Sequence, residues 1–136
     1  MKRISLVVCG AAALGLVLGV AASPVAAQSL DNYKCYKAKD LKEPKFVPTT
    51  VALADQFGVN DGDFELIKPF LFCTTADNNG GGISNAVDHL TCYKIKGPKL
   101  DKSQRPKVEA VNQLGSIQLE AKKAFLLCVP STITVL

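Results

Sequence analysis

The sequence predicts an all-β fold, a single compact β-barrel or β-sandwich, and three observations carry that reading. A stretch of nine residues returns: Asp31 to Lys39, D-N-Y-K-C-Y-K-A-K, reappears as Asp88 to Lys96, D-H-L-T-C-Y-K-I-K. Apolar residues alternate with polar ones through both copies, the period of a half-buried strand. Four cysteines sit at matching places in the two copies, where disulfides can staple a small core.

The first element is not part of the fold. Met1-Lys2-Arg3 is a short basic start, Ile4 to Ala22 carries no charge, and Ser23-Pro24-Val25-Ala26-Ala27 offers the small residues that signal peptidase needs. The expectation is a signal peptide over residues 1–27, weighed against a retained anchor, since the run is long enough to span a bilayer. Cys9 would leave with it. The mature chain, 28–136, is one domain with one modest core. Removing Lys2 and Arg3 lowers the net charge from +4 to +2, so nothing demands a polyanionic partner such as nucleic acid.

The repeat extends well beyond its opening. At a shift of 57, Lys42, Lys45, Val51, Gln56 and Gly58 meet Lys99, Lys102, Val108, Gln113 and Gly115. At a shift of 55, Lys68, Phe70, Leu71 and Cys73 meet Lys123, Phe125, Leu126 and Cys128. The change of shift falls among the turn residues Val59-Asn60-Asp61-Gly62, where a change of length costs least. Repeat 1 therefore covers about 31–77, repeat 2 about 88–136, with a linker at 78–87.

Each repeat reads as three strands. Tyr33 to Ala38 and Leu90 to Ile95 are the first. The second carries Val47, Thr49, Val51, Leu53 and Phe57 on one face, answered by Val108, Ala110 and Leu114. Gly58 or Gly115 turns the chain into the third, Phe64 to Cys73 or Ile117 to Val129. Phe64, Leu66, Phe70 and Phe72 should share a face there, and Phe70-Leu71-Phe72-Cys73 should be deeply buried. Thr132 to Leu136 is β-branched enough for a last strand. The prolines should fall near strand ends or edges. Two such units, each too small to close a core alone, are expected to pack about a pseudo-twofold.

Cys35, Cys73, Cys92 and Cys128 allow three pairings, and zinc is disfavoured because no closely spaced cysteine pair exists. Cys35–Cys73 with Cys92–Cys128 suits a duplicated module. A plain meander would place those cysteines at opposite ends of the sheet. The pairing therefore carries a second expectation: the second strand of each repeat is not a simple meander partner.

Candidate chemistry is sparse. His89 is the only histidine, and its repeat mate is Asn32, so it reads as a surface or hydrogen-bonding residue rather than a catalytic base. Asp77, Asn79 and Asp88 fall at calcium-loop positions, but a bare glycine stands at position 5 and the expected apolar residue is displaced, so metal and cofactor are both read as none. Lysines crowd the start of each repeat. Lys37, Lys39, Lys94 and Lys96, with Tyr36 and Tyr93, form the candidate ligand surface, weighed against lysines that merely guard an edge strand and tyrosines that pack on disulfides.

The motifs Asp88-His89-Leu90-Thr91-Cys92-Tyr93-Lys94-Ile95-Lys96, Gln56-Phe57-Gly58 and Leu126-Leu127-Cys128-Val129-Pro130 resemble a secreted bacterial family of unknown function with the repeated pattern D-H-x-x-C-Y-K-x-K, Q-F-G and L-L-C-x-P. Asn32 and Thr75 in the first copy and Leu114 in the second depart from it. The resemblance implies export and a repeat domain, and brings no activity. The functional expectation is a non-enzymatic binding or structural module of the cell envelope or exterior, its partner a surface glycan or another envelope protein. The alternatives are a carbohydrate- or polyanion-binding domain using the lysine-rich repeat starts and a hydrolase using Asp55, Asp61 and Asp63.

Overall fold

The computed structural model describes residues 30–41 and 43–136; the expected signal peptide lies outside them. Seven strands follow in order: β1 (Asn32–Lys37), β2 (Thr49–Leu53), β3 (Gly62–Ala76), β4 (His89–Lys96), β5 (Lys107–Asn112), β6 (Gly115–Glu120) and β7 (Leu126–Ser131). The only helical element among the described residues is a short 3-10 turn at Lys102–Gln104. The all-β reading holds.

The main sheet runs β1-β3-β4-β7, all antiparallel, with β2 also paired to β3; β5 and β6 form a separate hairpin. At fifteen residues, β3 is long enough to serve two neighbours on one edge. Its first half pairs with β2, setting Val51 opposite Phe64, and its second half pairs with β1, setting Cys35 opposite Cys73. The second strand of repeat 1 is thus not a simple meander partner, since it does not stand between β1 and β3. Both disulfides form within the repeats, Cys35–Cys73 and Cys92–Cys128, as the duplication suggested.

Repeat 2 repeats this pairing register for register. Cys92 faces Cys128, Val108 faces Leu119 and Ala110 faces Ile117, the mates of Cys35–Cys73, Val51–Phe64 and Leu53–Gly62. The difference is in the third strand. The single strand expected over Ile117 to Val129 divides into β6 and β7, leaving residues 121–125 unpaired as a strand. In repeat 1 the matching stretch is held on its far edge by β4, with Leu66 opposite Ile95 and Lys68 opposite Lys94. Among the described residues no strand stands beyond β7 to do the same.

The repeats succeed one another along the sheet, an advance of two strands with strand direction kept. No pairing returns β7 to β1 to close the pseudo-twofold of a barrel. The β5–β6 hairpin instead reaches back toward the first strand, where Gln113 Nε2 donates to Asn32 Oδ1 at 3.4 Å.

The buried core is small: Phe64, Leu66 and Ile95, with Phe46, Val51, Leu53, Tyr93 and Leu127 packed against it. It sits where the two repeats meet. Gly97 lets the chain leaving β4 pass close to Phe64, since a Cβ there would lie 2.3 Å from Phe64 Cδ1. Three expectations need correction. Phe70, Leu71 and Phe72 are half-buried and only Cys73 of that run is buried, because register shifts at Leu66/Lys68 and Pro69/Leu71 break the alternation. Pro69 lies inside central β3, at one of those shifts, where a missing N–H is tolerated. Thr132 to Leu136 is not a strand, since Val135 and Leu136 are exposed and find no apolar surface to cover.

A cationic cleft at the root of the second hairpin

Two backbone bonds frame the root of the β5–β6 hairpin. Ala121 N–H donates to the Pro106 carbonyl at 2.8 Å, and Ile95 N–H donates to the Phe125 carbonyl at 3.0 Å. Between them one arm, residues 97–105, and the other, 122–124, stand apart. A cavity of about 710 Å³ opens there, lined by residues that include Lys94, Lys96, Lys99, Arg105, Lys122 and Lys123. Its apolar lining comes from Ile67, Ile95, Pro98, Leu100, Ala124 and Phe125, with Gly97 and Asn60 completing it. No carboxylate lines it.

The electrostatics follow from that composition. Six cationic side chains gather at a lining that holds no carboxylate, the opposite charge next to them being Glu65, the cross-strand partner of Lys96. Arg105 is half-buried, and its Nε is buried without a hydrogen-bond partner. A buried donor left unpaired is costly, more so on a charged group. Lys94 is partly steadied, its Nζ standing 4.5 Å from the centre of the Phe70 ring.

The first repeat is an internal control. Position by position, Asp40 gives way to Gly97, Glu43 to Leu100, Pro48 to Arg105 and Ile67 to Lys122. Two acids are lost and two cations gained, each at a residue that lines the cleft. Asp40 is moreover engaged, its Oδ2 accepting from Phe46 N–H at 2.6 Å. The lysine-rich starts of the two repeats are therefore not equivalent. The second combines with the hairpin root into a concave site.

The structure divides the expected ligand surface accordingly. Lys94 and Lys96 line the cleft, whereas Lys37 and Lys39 are exposed in repeat 1 and outside it. Tyr36 and Tyr93 have separate ring partners. Alternation puts each on the sheet face opposite its neighbouring disulfide, so neither packs on one. Tyr36 stacks on Phe72 at 6.2 Å, with Lys34 Nζ 5.2 Å from its ring centre, and Tyr93 meets Phe46 at 5.1 Å. Lys99, Arg105, Lys122 and Lys123 were missed as site residues. For Arg105 and Lys122 the signal was present in the repeat alignment as charge gained in one copy only, whereas Lys99 and Lys123 have lysine mates in Lys42 and Lys68.

The other candidates lie elsewhere. His89 is half-buried, its ring centre 6.1 Å from that of Phe72, and its buried Nδ1 has no hydrogen-bond partner among the described residues. The linker with Asp77, Asn79 and Asp88 is organised by another carboxylate. Asp31 Oδ1 and Oδ2 accept from Ser84 and Asn85 N–H at 2.6 and 2.7 Å. Among the described residues, no group of three or more His, Cys, Asp or Glu side chains converges on a metal position. Asp55 and Asp61 hold the turn before β3: Asp55 Oδ1 accepts from Phe57 N–H at 2.9 Å, and Asp61 Oδ1 from Asp55 N–H at 3.2 Å. Asp63 is exposed on β3.

Among the described residues no helix is long and apolar enough to cross a membrane. Compared with protein-family models, curated proteins and solved structures, the chain matches none.

Proposed function

We infer that the protein is an exported, non-enzymatic binding module that captures an anionic ligand in the cleft of its second repeat. One observation carries the reading: Arg105 and five lysines line one cavity that no carboxylate lines. The two disulfides support the setting, because such bridges persist in oxidising compartments outside the cytosol. An anionic envelope component bearing carboxylate, sulfate or phosphate groups is the natural partner, its charge steering it to the cleft.

The test is retention on dextran sulfate. Binding should be firm at low salt and lost as salt is raised, since the Debye length falls from about 10 Å at 0.1 M to about 3 Å at 1 M. Arg105→Gln and Lys122→Glu should each shift elution to clearly lower salt, while Lys37→Glu and Lys39→Glu should shift it far less. No retention of the wild type at low salt would sink the reading. Equal losses from both repeats would move the site away from the cleft.

A further inference from the structure

We propose that the cleft is built for an amphiphilic anion, a phosphate or carboxylate head carrying an unbranched apolar chain. This rests on the anion-binding reading above and narrows it. The first argument is what the lining lacks. A sugar ring offers hydroxyl donors that need acceptors, and lysine and arginine side chains have none to give. Asn60 supplies the sole side-chain carbonyl in the lining. A polyhydroxylated ligand would therefore leave many donors to the backbone or to water.

The second argument is what the lining has. Alongside the cations the lining holds the apolar side chains of Ile67, Leu100, Ala124 and Phe125 together with the buried Ile95. Phe125 is 54 % exposed although its repeat mate Phe70 is half-buried. The cavity, about 710 Å³, is in the size range of sites that enclose small organic ligands, in which apolar walls carry the affinity and a few polar groups fix the head. A head at Arg105 and Lys122 with a chain laid over Leu100 and Phe125 would satisfy both halves of the lining at once.

The experiment is calorimetric titration of the disulfide-bonded protein with octyl, decyl and dodecyl phosphate, each below its micellar concentration, beside inorganic phosphate and dextran sulfate. Affinity should rise about three- to fourfold per added methylene while chain is being buried, and inorganic phosphate should bind far more weakly. Phe125→Ser and Leu100→Ser should flatten that slope. Arg105→Gln should weaken every anion about tenfold. Alkyl phosphates binding no tighter than inorganic phosphate, with dextran sulfate still retained, would overturn this inference and leave the anion-binding reading standing. A chain-length slope unaffected by either apolar substitution would place the binding elsewhere and overturn it too. Failure of every anion would remove both.

Discussion

Gly97 links the core to the cleft through one missing methyl group. It lines the cavity on one side, and on the other its backbone lies against the Phe64 ring. Its repeat mate, Asp40, carries the side chain that Gly97 lacks. Gly97→Ala should therefore destabilise the fold by about 1–3 kcal/mol through overpacking, readable as a lower urea midpoint with an unchanged slope. Phe64 is aromatic backbone-flanking bulk rather than the end of a flexible chain, so it cannot easily give way. The cysteines show a related asymmetry within each bridge: Cys73 and Cys92 are buried, Cys35 and Cys128 exposed. With sequence separations of 38 and 36 residues, replacing either bridge by a pair of alanines should lower stability by roughly 4 kcal/mol in the loop-entropy model. Denaturant unfolding of the two double variants checks this.

At the scale of the element, the two versions of the third strand explain most of what the sequence disclosed and what it hid. The alternation around Val51 and Val108 and the duplicated Cys-Tyr-Lys stretch were legible because strand period and repeat spacing are local patterns. The division of Ile117 to Val129 was not, because it depends on a neighbour. Leu66 stays in a strand with β4 at its edge, while Ala121 is smaller and has no such edge. The same asymmetry makes a stability prediction. Phe64→Ala should cost about 3–5 kcal/mol, as for a buried aromatic. Leu119→Ala, at the matching position of β6 but 47 % exposed, should cost under about 1 kcal/mol. Near-equal losses would mean that the hairpin is as well covered as the first repeat.

For the whole molecule, charge and topology act together. The first repeat keeps acids near its lysines and closes its third strand against β4, while the second sheds those acids and opens. The cleft was only half legible for that reason: Lys94 and Lys96 stood out by clustering, but Lys122 and Arg105 are brought to them by the hairpin root. Export is testable at this scale also. Intact mass of secreted material should correspond to a chain beginning at Gln28, and a mass that retains residues 1–27 would make the apolar segment an anchor.

The placement of the bridges has a mechanical consequence. If the chain is pulled from residues 30 and 136, tension entering at β1 crosses from Cys35 to Cys73, and tension entering at β7 crosses from Cys128 to Cys92. Everything between each pair of cysteines is bypassed. Apart from the two tails, only residues 74–91 can pay out, a contour of about 60 Å at full extension. All the cleft cations lie between Cys92 and Cys128, and Ile67 and Asn60 lie between Cys35 and Cys73. A module anchored at both ends could thus stretch between its repeats while neither bridged loop lengthens, and a force trace should show the long additional extension only after a reductant is added.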